Sequence, residues 1–186
     1  MTEEIRNTDD YCCVVGGVNI DIGGSPDLEL VPKDSNPGHV TTSLGGVGRN
    51  IAHNMTLLGV KTKLVTALGV DGNAQLISDS CKQLGIDLSA SYHSRSEATS
   101  TYLFITDHEG DMHIAVSDMN IYRHMTPEFI SGRMNLLNSG RLIIVDTNIP
   151  EDTIKYICEH ATVPVFSDPV SCKKAEKLIP VLDKLH

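Results

Sequence analysis

The chain is most strongly patterned at Gly45-Gly46-Val47-Gly48-Arg49-Asn50-Ile51-Ala52, and Gly59 and Gly69 follow this stretch at fixed spacing. Glycines leave the backbone N–H groups open to approach because they carry no Cβ, and here they lead into a segment with helical periodicity. The N-terminus of a helix attracts polar and anionic ligands through its unpaired N–H groups and its dipole. The stretch therefore predicts a small polar ligand at a helix start.

The segments around this stretch alternate between strand and helix patterns. The apolar run at 12–16 is typical of a buried parallel strand. After the glycines, Val47, Ile51, Met55 and Leu58 recur at helical spacing and predict one apolar face. The remaining pattern predicts a loop at 23–33, strands at 39–44, 61–68, 142–145 and 163–166, and helices at 73–84, 125–137, 151–160 and 172–185. This alternation favours an α/β fold.

One segment departs from the α/β alternation. Residues 101–106 and 111–116 alternate as two strands around the turn 107–110, which predicts a β-hairpin. A hairpin inserted into an α/β chain indicates a flap or lid.

Composition excludes several classes of protein. With 186 residues and 40% hydrophobic content the chain can bury one sizeable core, whereas residues 1–10 are polar and read as a disordered leader or linker. A net charge of −9 with scattered Lys and Arg argues against nucleic-acid binding. Neither a signal peptide nor an apolar run of membrane-spanning length occurs, which predicts a cytoplasmic protein that binds no membrane.

The cysteines and the glycine pattern exclude several kinds of ligand site. Five cysteines without a CxxC pair predict neither a disulfide framework nor a metal site. The glycines match neither GxxxxGK[ST] nor GxGxxG, because no Lys-Ser or Lys-Thr follows and Ile51 stands where the third glycine would be. Asn50 can donate and accept hydrogen bonds and Asp21 can accept them, which suits a polyhydroxylated ligand such as a sugar.

Asn19 and Asp21 come just after the first predicted strand. Ligands of open α/β sheets lie beyond the carboxyl ends of the strands, so both side chains are candidates for binding. The alternative is that they cap a turn, a common use of Asn and Asp.

The stretch 45–52 with Gly59 and Gly69 resembles the N-terminal signature of the PfkB (ribokinase-like) carbohydrate and nucleoside kinases. Within that family, four later segments are most similar to the members that phosphorylate pseudouridine. These segments are Thr99-Ser100-Thr101-Tyr102-Leu103, Ser117-Asp118-Met119-Asn120-Ile121, Asp146-Thr147-Asn148-Ile149 and Pro164-Val165-Phe166-Ser167-Asp168-Pro169-Val170-Ser171.

The resemblance implies a fold and a reaction. The fold is a three-layer α/β/α arrangement with a mostly parallel central sheet and a small β lid, here an incomplete kinase domain at 11–186 with lid segments at about 20–44 and 99–118. The reaction transfers the γ-phosphoryl group of ATP, with Mg²⁺, to the 5′-hydroxyl of pseudouridine. Family members also pair through their lids, which implies a homodimer in a complete form.

The resemblance also implies a substrate site. The ribose hydroxyls would be held by Asn19, Asp21, Gly45, Gly46 and Asn50. Asn148 would face the sugar, Thr99 and Tyr102 would come from the lid, and Asp118 and Asn120 would follow the returning lid strand. Of these, Asp21 has the best chemistry, because a carboxylate accepts hydrogen bonds from two adjacent hydroxyls.

In one respect the sequence departs from the family pattern. The glycine-rich GAGD-type segment, which supplies the anion hole and the general base, does not occur in 1–186. We therefore expect the base and the C-terminal part of the fold beyond His186, and no phosphoryl transfer by these residues alone. The alternatives are a truncated, non-catalytic isoform, and a kinase of the same family for another sugar or nucleoside such as ribose or adenosine.

Some polar residues keep two interpretations. His108 and His113 in the hairpin are more typical of solvated side chains than of metal ligands. Asp146 and Asp168 at strand ends suit either Mg²⁺ or substrate contacts, or the capping of turns. Arg49 suits either a phosphate contact or a salt bridge.

Overall fold

A parallel sheet forms the centre of the computed structural model, which describes residues 10–186. The leader predicted at 1–10 therefore lies, apart from Asp10, outside the described residues. The strands are β1 Cys12–Val15, β2 Asn19–Pro26, β3 Gly38–Gly45, β4 Thr62–Val65, β5 Ala67–Leu68, β6 Tyr92–His93, β7 Thr101–Thr106, β8 Met112–Asp118, β9 Ile143–Asp146 and β10 Val165–Asp168. The helices are α1 Val47–Leu57, α2 Gly72–Leu84, α3 Pro127–Ser131, α4 Met134–Ser139, α5 Glu151–His160 and α6 Cys172–Ala175, with 3-10 helices at Asn120–His124 and Glu176–Lys184. No helix of the described part is long and apolar enough to cross a membrane.

The central sheet has the order β10-β9-β1-β4, and all its strand pairs are parallel. Successive residues of β1 contribute to opposite faces, since Val14 packs with Ala52 and Ile77 whereas Val15 packs with Ile154. Helices α1 and α2 thus cover one face and α5 covers the other. This confirms the predicted three-layer α/β/α architecture and the buried first strand.

A second sheet forms the lid, with the order β3-β2-β7-β8. The hairpin β7–β8 is confirmed, and β2 joins it by pairing in parallel with β7 and antiparallel with β3. The prediction of a loop throughout 23–33 is wrong at its start, because β2 continues to Pro26. The two glycines suit a strand here, since a Cβ on Gly23 would overlap the Phe104 ring and one on Gly24 would lie 2.8 Å from Ile105 Cδ1.

Other elements are shorter than the periodicity predicted. The strand predicted at 61–68 is interrupted at Thr66, because β5 leaves the central sheet to pair with β6. The helix predicted at 125–137 divides into α3 and α4 around Gly132. The helix predicted at 172–185 turns after one α-helical turn into a 3-10 helix that contains Pro180, which lacks the N–H an α-helix needs.

The buried face of α1 agrees with the prediction in part, since Ile51 and Met55 pack against the core. Gly48, Arg49 and Ala52 are buried, whereas Leu58 is 82% exposed. The reason is the close contact of Gly48 with the segment after β1: a Cβ on Gly48 would lie 2.8 Å from the carbonyl carbon of Gly16. This contact determines which side of the helix faces the sheet. The spacing of apolar residues in the sequence gives no indication of it.

Candidate functional site

The glycine-rich stretch brings the start of α1 against the end of β1. Gly46 is the N-cap of α1 and has φ of 95°, a backbone conformation that favours glycine. The Arg49 N–H donates to the Gly17 carbonyl at 3.1 Å, and the Gly17 N–H donates to the Asp146 carboxylate at 2.7 Å. The helix start, the β1–β2 connection and the carboxyl end of β9 therefore meet at one place, where α/β sheets bind ligands.

Asn19 and Asp21 open β2 directly beyond this junction. Asn19 is 5% exposed, and its amide donates a short hydrogen bond to the carboxylate of the half-buried Asp21. Burial raises the pKa of Asp21 above its ordinary value, and the hydrogen bond from Asn19 offsets part of that rise. Gly45 pairs with Asn19 across the strands, and a Cβ there would overlap the Asp21 carboxylate. Gly45 thus gives Asp21 the space it occupies.

A row of polar side chains continues from Asp21 across the lid. Strand register places Asp21 opposite Ser43 on one side and Tyr102 on the other, and Tyr102 opposite Ser117. Side chains paired in this way lie on the same face of a sheet. Ser43 and Ser117 were missed by the sequence reasoning. Strand alternation backward from Gly45 would have indicated Ser43.

Asn148 lies on the other side of the glycine junction. A Cβ on Gly17 would lie 2.9 Å from Asn148 Nδ2, so the Asn148 side chain covers the β1–β2 connection. Asn148 Oδ1 accepts a hydrogen bond from Lys174 Nζ at 2.6 Å. Lys174 was also missed. The sequence feature that could have indicated Lys174 is Ser171, the N-cap of α6, because it places Lys174 in the first helical turn after β10.

The other predicted site residues lie apart from this cluster. Thr99 is buried, with its hydroxyl donating to Asp71 and accepting from the Gly69 N–H. Asn50 is exposed on the first turn of α1. Asp118 pairs with Thr101, the neighbour of Tyr102 in β7. Because successive side chains of a strand point to opposite faces, Asp118 lies on the opposite face of the lid from Asp21. Asp118 and Asn120 instead line a cavity of about 200 Å³.

The residues with two interpretations take structural partners. Asp146 is fully buried and accepts from the N–H groups of Gly17 and Asn148, and Asp168 accepts from the Val170 N–H at 2.7 Å. Burial raises the pKa of Asp146, and its backbone hydrogen bonds act against the rise. These bonds are those expected of carboxylates that fix the turns at strand ends, which was the second of the two interpretations.

Among the described residues, Arg49 forms no salt bridge. It is 6% exposed and donates to the Leu44 carbonyl at 3.2 Å and to Ser80 Oγ at 3.0 Å. It therefore joins the end of β3 to α2. His108 and His113 are exposed, and the cluster of acidic groups found beside them, Asp107, Glu109 and Asp111, includes neither histidine.

The arrangement suits a vicinal diol. A carboxylate accepts hydrogen bonds from two neighbouring hydroxyls, and an adjacent amide restricts its orientation. The Asn19–Asp21 pair provides both groups, with the polar row of the lid continuing on the same face.

Known proteins resemble this chain in sequence and in fold. The family model described as "pfkB family carbohydrate kinase" matches residues 9–185. A pseudouridine kinase of Escherichia coli (strain K12) is 38% identical over 95% of this chain and 57% of its own length. A pseudouridine kinase of Arabidopsis thaliana is 25% identical over 90% of this chain and 45% of its own length. The solved structure of a carbohydrate kinase from Agrobacterium tumefaciens superposes with a TM-score of 0.88 at 27% identity, covering 95% of this chain and 59% of that one.

The chain spans about half the length of the curated relatives it matches. The match nevertheless includes the central sheet, the lid and the glycine-rich stretch. The chain belongs to the pfkB family of carbohydrate kinases.

Proposed function

We propose that this chain is the nucleoside-binding part of a kinase that transfers the γ-phosphoryl group of ATP to the 5′-hydroxyl of pseudouridine, giving ADP and pseudouridine 5′-phosphate. The observation that carries the proposal is the Asn19–Asp21 pair over Gly45, which suits the adjacent hydroxyls of a ribose. The identity with pseudouridine kinases supports pseudouridine over other nucleosides.

In this proposal each site residue has its own role. Asp21 accepts from the ribose hydroxyls, Asn19 orients Asp21, and Gly45 leaves room for the Asp21 carboxylate. Gly46 allows the start of α1 to lie against the backbone of Gly17 and Val18. Tyr102 closes over the ligand from the lid, and Asn148 approaches it from the end of β9. Asn50, Thr99, Asp118 and Asn120 lie apart from this cluster, and their part in substrate binding stays a prediction. Thr99 would act through Asp71, because its hydroxyl already has two partners.

The proposal includes ATP and Mg²⁺ only because the family resemblance implies them. The general base that the resemblance places beyond residue 186 is not among the residues described. We therefore propose that residues 1–186 by themselves bind the nucleoside and transfer no phosphate.

An activity assay tests this proposal. The chain, and any longer protein that contains it together with the base, is incubated with ATP, Mg²⁺ and pseudouridine, and the products are separated chromatographically. We expect pseudouridine 5′-phosphate from the longer protein and none from 1–186. Faster phosphorylation of ribose or adenosine would keep the family and overturn the substrate.

We also propose that the lid mediates a homodimer. The face of the lid opposite Asp21 carries apolar side chains that are largely exposed, among them Val40, Ile114 and Val116. A cavity of about 440 Å³ lies on the same face against the loop that follows β2. Exposed apolar patches of this kind mark interaction sites.

A cytoplasmic location completes the proposal. The cysteines at 12, 13, 81, 158 and 172 are all free thiols, and reducing compartments keep thiols in that state.

A further inference from the structure

Tyr122 has a buried hydroxyl group bonded to the backbone next to the site. The Val18 N–H donates to Tyr122 Oη at 2.7 Å, and the same hydroxyl donates a short hydrogen bond back to the Val18 carbonyl. Tyr122 is 3% exposed and Val18 is fully buried. Burial raises the pKa of Tyr122 well above its ordinary value, so the phenol stays protonated and serves as donor and acceptor at once.

The position of this contact in the chain matters. Val18 immediately precedes Asn19, where the chain enters the lid. Tyr122 lies in the 3-10 helix that follows β8, where the chain leaves the lid. One hydroxyl therefore joins the two ends of the lid, 104 residues apart in sequence.

The surroundings fix the phenol ring. Tyr122 packs in the hydrophobic core with Ile121 and Met125, and the buried hydroxyls of Ser100 and Thr66 adjoin its own. The Ile20 N–H donates to the Ser100 carbonyl at 3.0 Å, which holds β2 to the start of β7 just beyond the Tyr122 contact.

We propose that Tyr122 is a positioning residue for substrate binding: by holding both polar groups of Val18 it sets where Asn19 and Asp21 stand over Gly45. This inference rests on the proposed function. Tyr122 need not touch the ligand, because its hydroxyl is already occupied by Val18. Replacing it with Phe keeps the ring and leaves the buried Val18 N–H without its partner.

The experiment compares Tyr122→Phe with a matched control, Tyr11→Phe. The Tyr11 hydroxyl also donates to a backbone carbonyl, that of Leu136 at 2.7 Å, but it lies before β1 and away from the site. Hydrogen exchange of individual amides and the affinity for pseudouridine are measured in both variants and in the wild-type chain, well below their unfolding temperatures.

We expect both variants to unfold at lower temperature. Only Tyr122→Phe should raise amide exchange at residues 18–21 at least tenfold, with exchange in β1 as the internal reference, and weaken pseudouridine binding about tenfold. Exchange at 18–21 within twofold of wild type would overturn the inference, and so would an equal loss of affinity in both variants. If the wild-type chain binds no pseudouridine, the proposed function fails, while the exchange data still decide whether Tyr122 holds Val18.

Discussion

Burial of Asp21 costs folding stability at neutral pH, and in the proposed site the ionised carboxylate would bind the ligand. Its pKa rises from an ordinary value of 3.8 because burial disfavours the charged form. The folded chain thus holds its proton more tightly than the unfolded chain does. The stability that Asp21 contributes is complete below pH 3.8 and is lost as the pH rises through the folded pKa.

Asp21→Asn should therefore separate stability from binding. At pH 7 we expect a higher unfolding temperature, because no charge is buried, and an affinity for pseudouridine that is about tenfold to hundredfold lower, the effect of losing hydrogen bonds to a charged acceptor. Thermal unfolding and calorimetric titration measure the two effects. A variant that unfolds at lower temperature yet binds like wild type would contradict this account of Asp21.

The pH dependence of binding gives a second test at the same residue. Affinity for pseudouridine should fall as the pH is lowered from 7 toward 4, beginning above the range of an unperturbed carboxyl, because protonated Asp21 loses acceptor capacity. The Asp21→Asn variant should show a flat profile over the same range. Parallel profiles in the two proteins would assign the dependence to another group.

Gly45→Ala tests the space beneath Asp21. A Cβ at Gly45 would overlap the carboxylate, whereas one at Gly72 would meet nothing within 4 Å. We expect Gly45→Ala to weaken nucleoside binding at least tenfold, and Gly72→Ala to leave binding unchanged and stability equal or slightly higher. Calorimetric titration of both variants gives the comparison. Equal affinities would show that the carboxylate can move aside without loss.

At the scale of elements, Asp71 links α2 to the lid. It caps α2 by accepting from the Ala74 N–H at 2.8 Å, and it accepts from the Thr99 N–H and hydroxyl at 2.7 Å each. Burial alone would raise the pKa of Asp71, but the hydrogen bonds from Thr99 and Ala74 outweigh it and lower the pKa. Its contribution to stability is therefore present above the ordinary value of 3.8 and is lost as the pH falls through the lowered pKa.

Asp71→Ala should be strongly destabilising. Loss of the cap and of the bonds to Thr99 should lower the free energy of unfolding by about 2 to 3 kcal/mol. The control is Asp79→Ala on the exposed side of the same helix, which should change it by less than about 0.5 kcal/mol. Urea unfolding at pH 7 measures both. Equal losses would show that Asp71 acts only as a surface residue.

Sequence patterns predicted the elements well where periodicity reflects burial. Three patterns are local in this sense: the apolar run of β1, the alternation of β7 and β8, and the glycine after α1. The elements they predict form where expected. The rotation of α1 could not be read in this way, because it depends on the contact of Gly48 with Gly16, which are distant in sequence.

The sequence predicts the contacts at the centre of the candidate site better than those at its edges. Asn19, Asp21 and Gly45 follow from a strand end and a glycine motif, and the structure brings them together. Asp118 lies on the other face of the lid, since the register of β8 against β7 is decided by pairing across the turn. Tyr122 carried no sequence signal, because its partner is a backbone group 104 residues away.

For the whole molecule, the two faces of the lid differ in the side chains they carry. The face with Asp21 carries the polar row Ser43, Tyr102 and Ser117, and the opposite face carries the exposed apolar side chains of Val40, Ile114 and Val116. A sheet covered on one face by its ligand and on the other by a second copy would bury both.

Oligomeric state tests this arrangement. The double variant Ile114→Lys/Val116→Lys should shift the chain to monomer, because charges desolvated in an apolar interface are costly. The control is Leu57→Lys/Leu58→Lys at the end of α1, where both leucines are also exposed. Light scattering after size-exclusion chromatography gives the mass of each. A wild-type monomer at high concentration would contradict the proposed lid dimer.

The most direct test of the proposed nucleoside site is a calorimetric titration of this chain with pseudouridine, repeated with Asp21→Asn. The account predicts saturable binding at one site per chain and a dissociation constant about tenfold or more higher in the variant. Absence of binding by the wild-type chain, or equal dissociation constants for the two proteins, would contradict it.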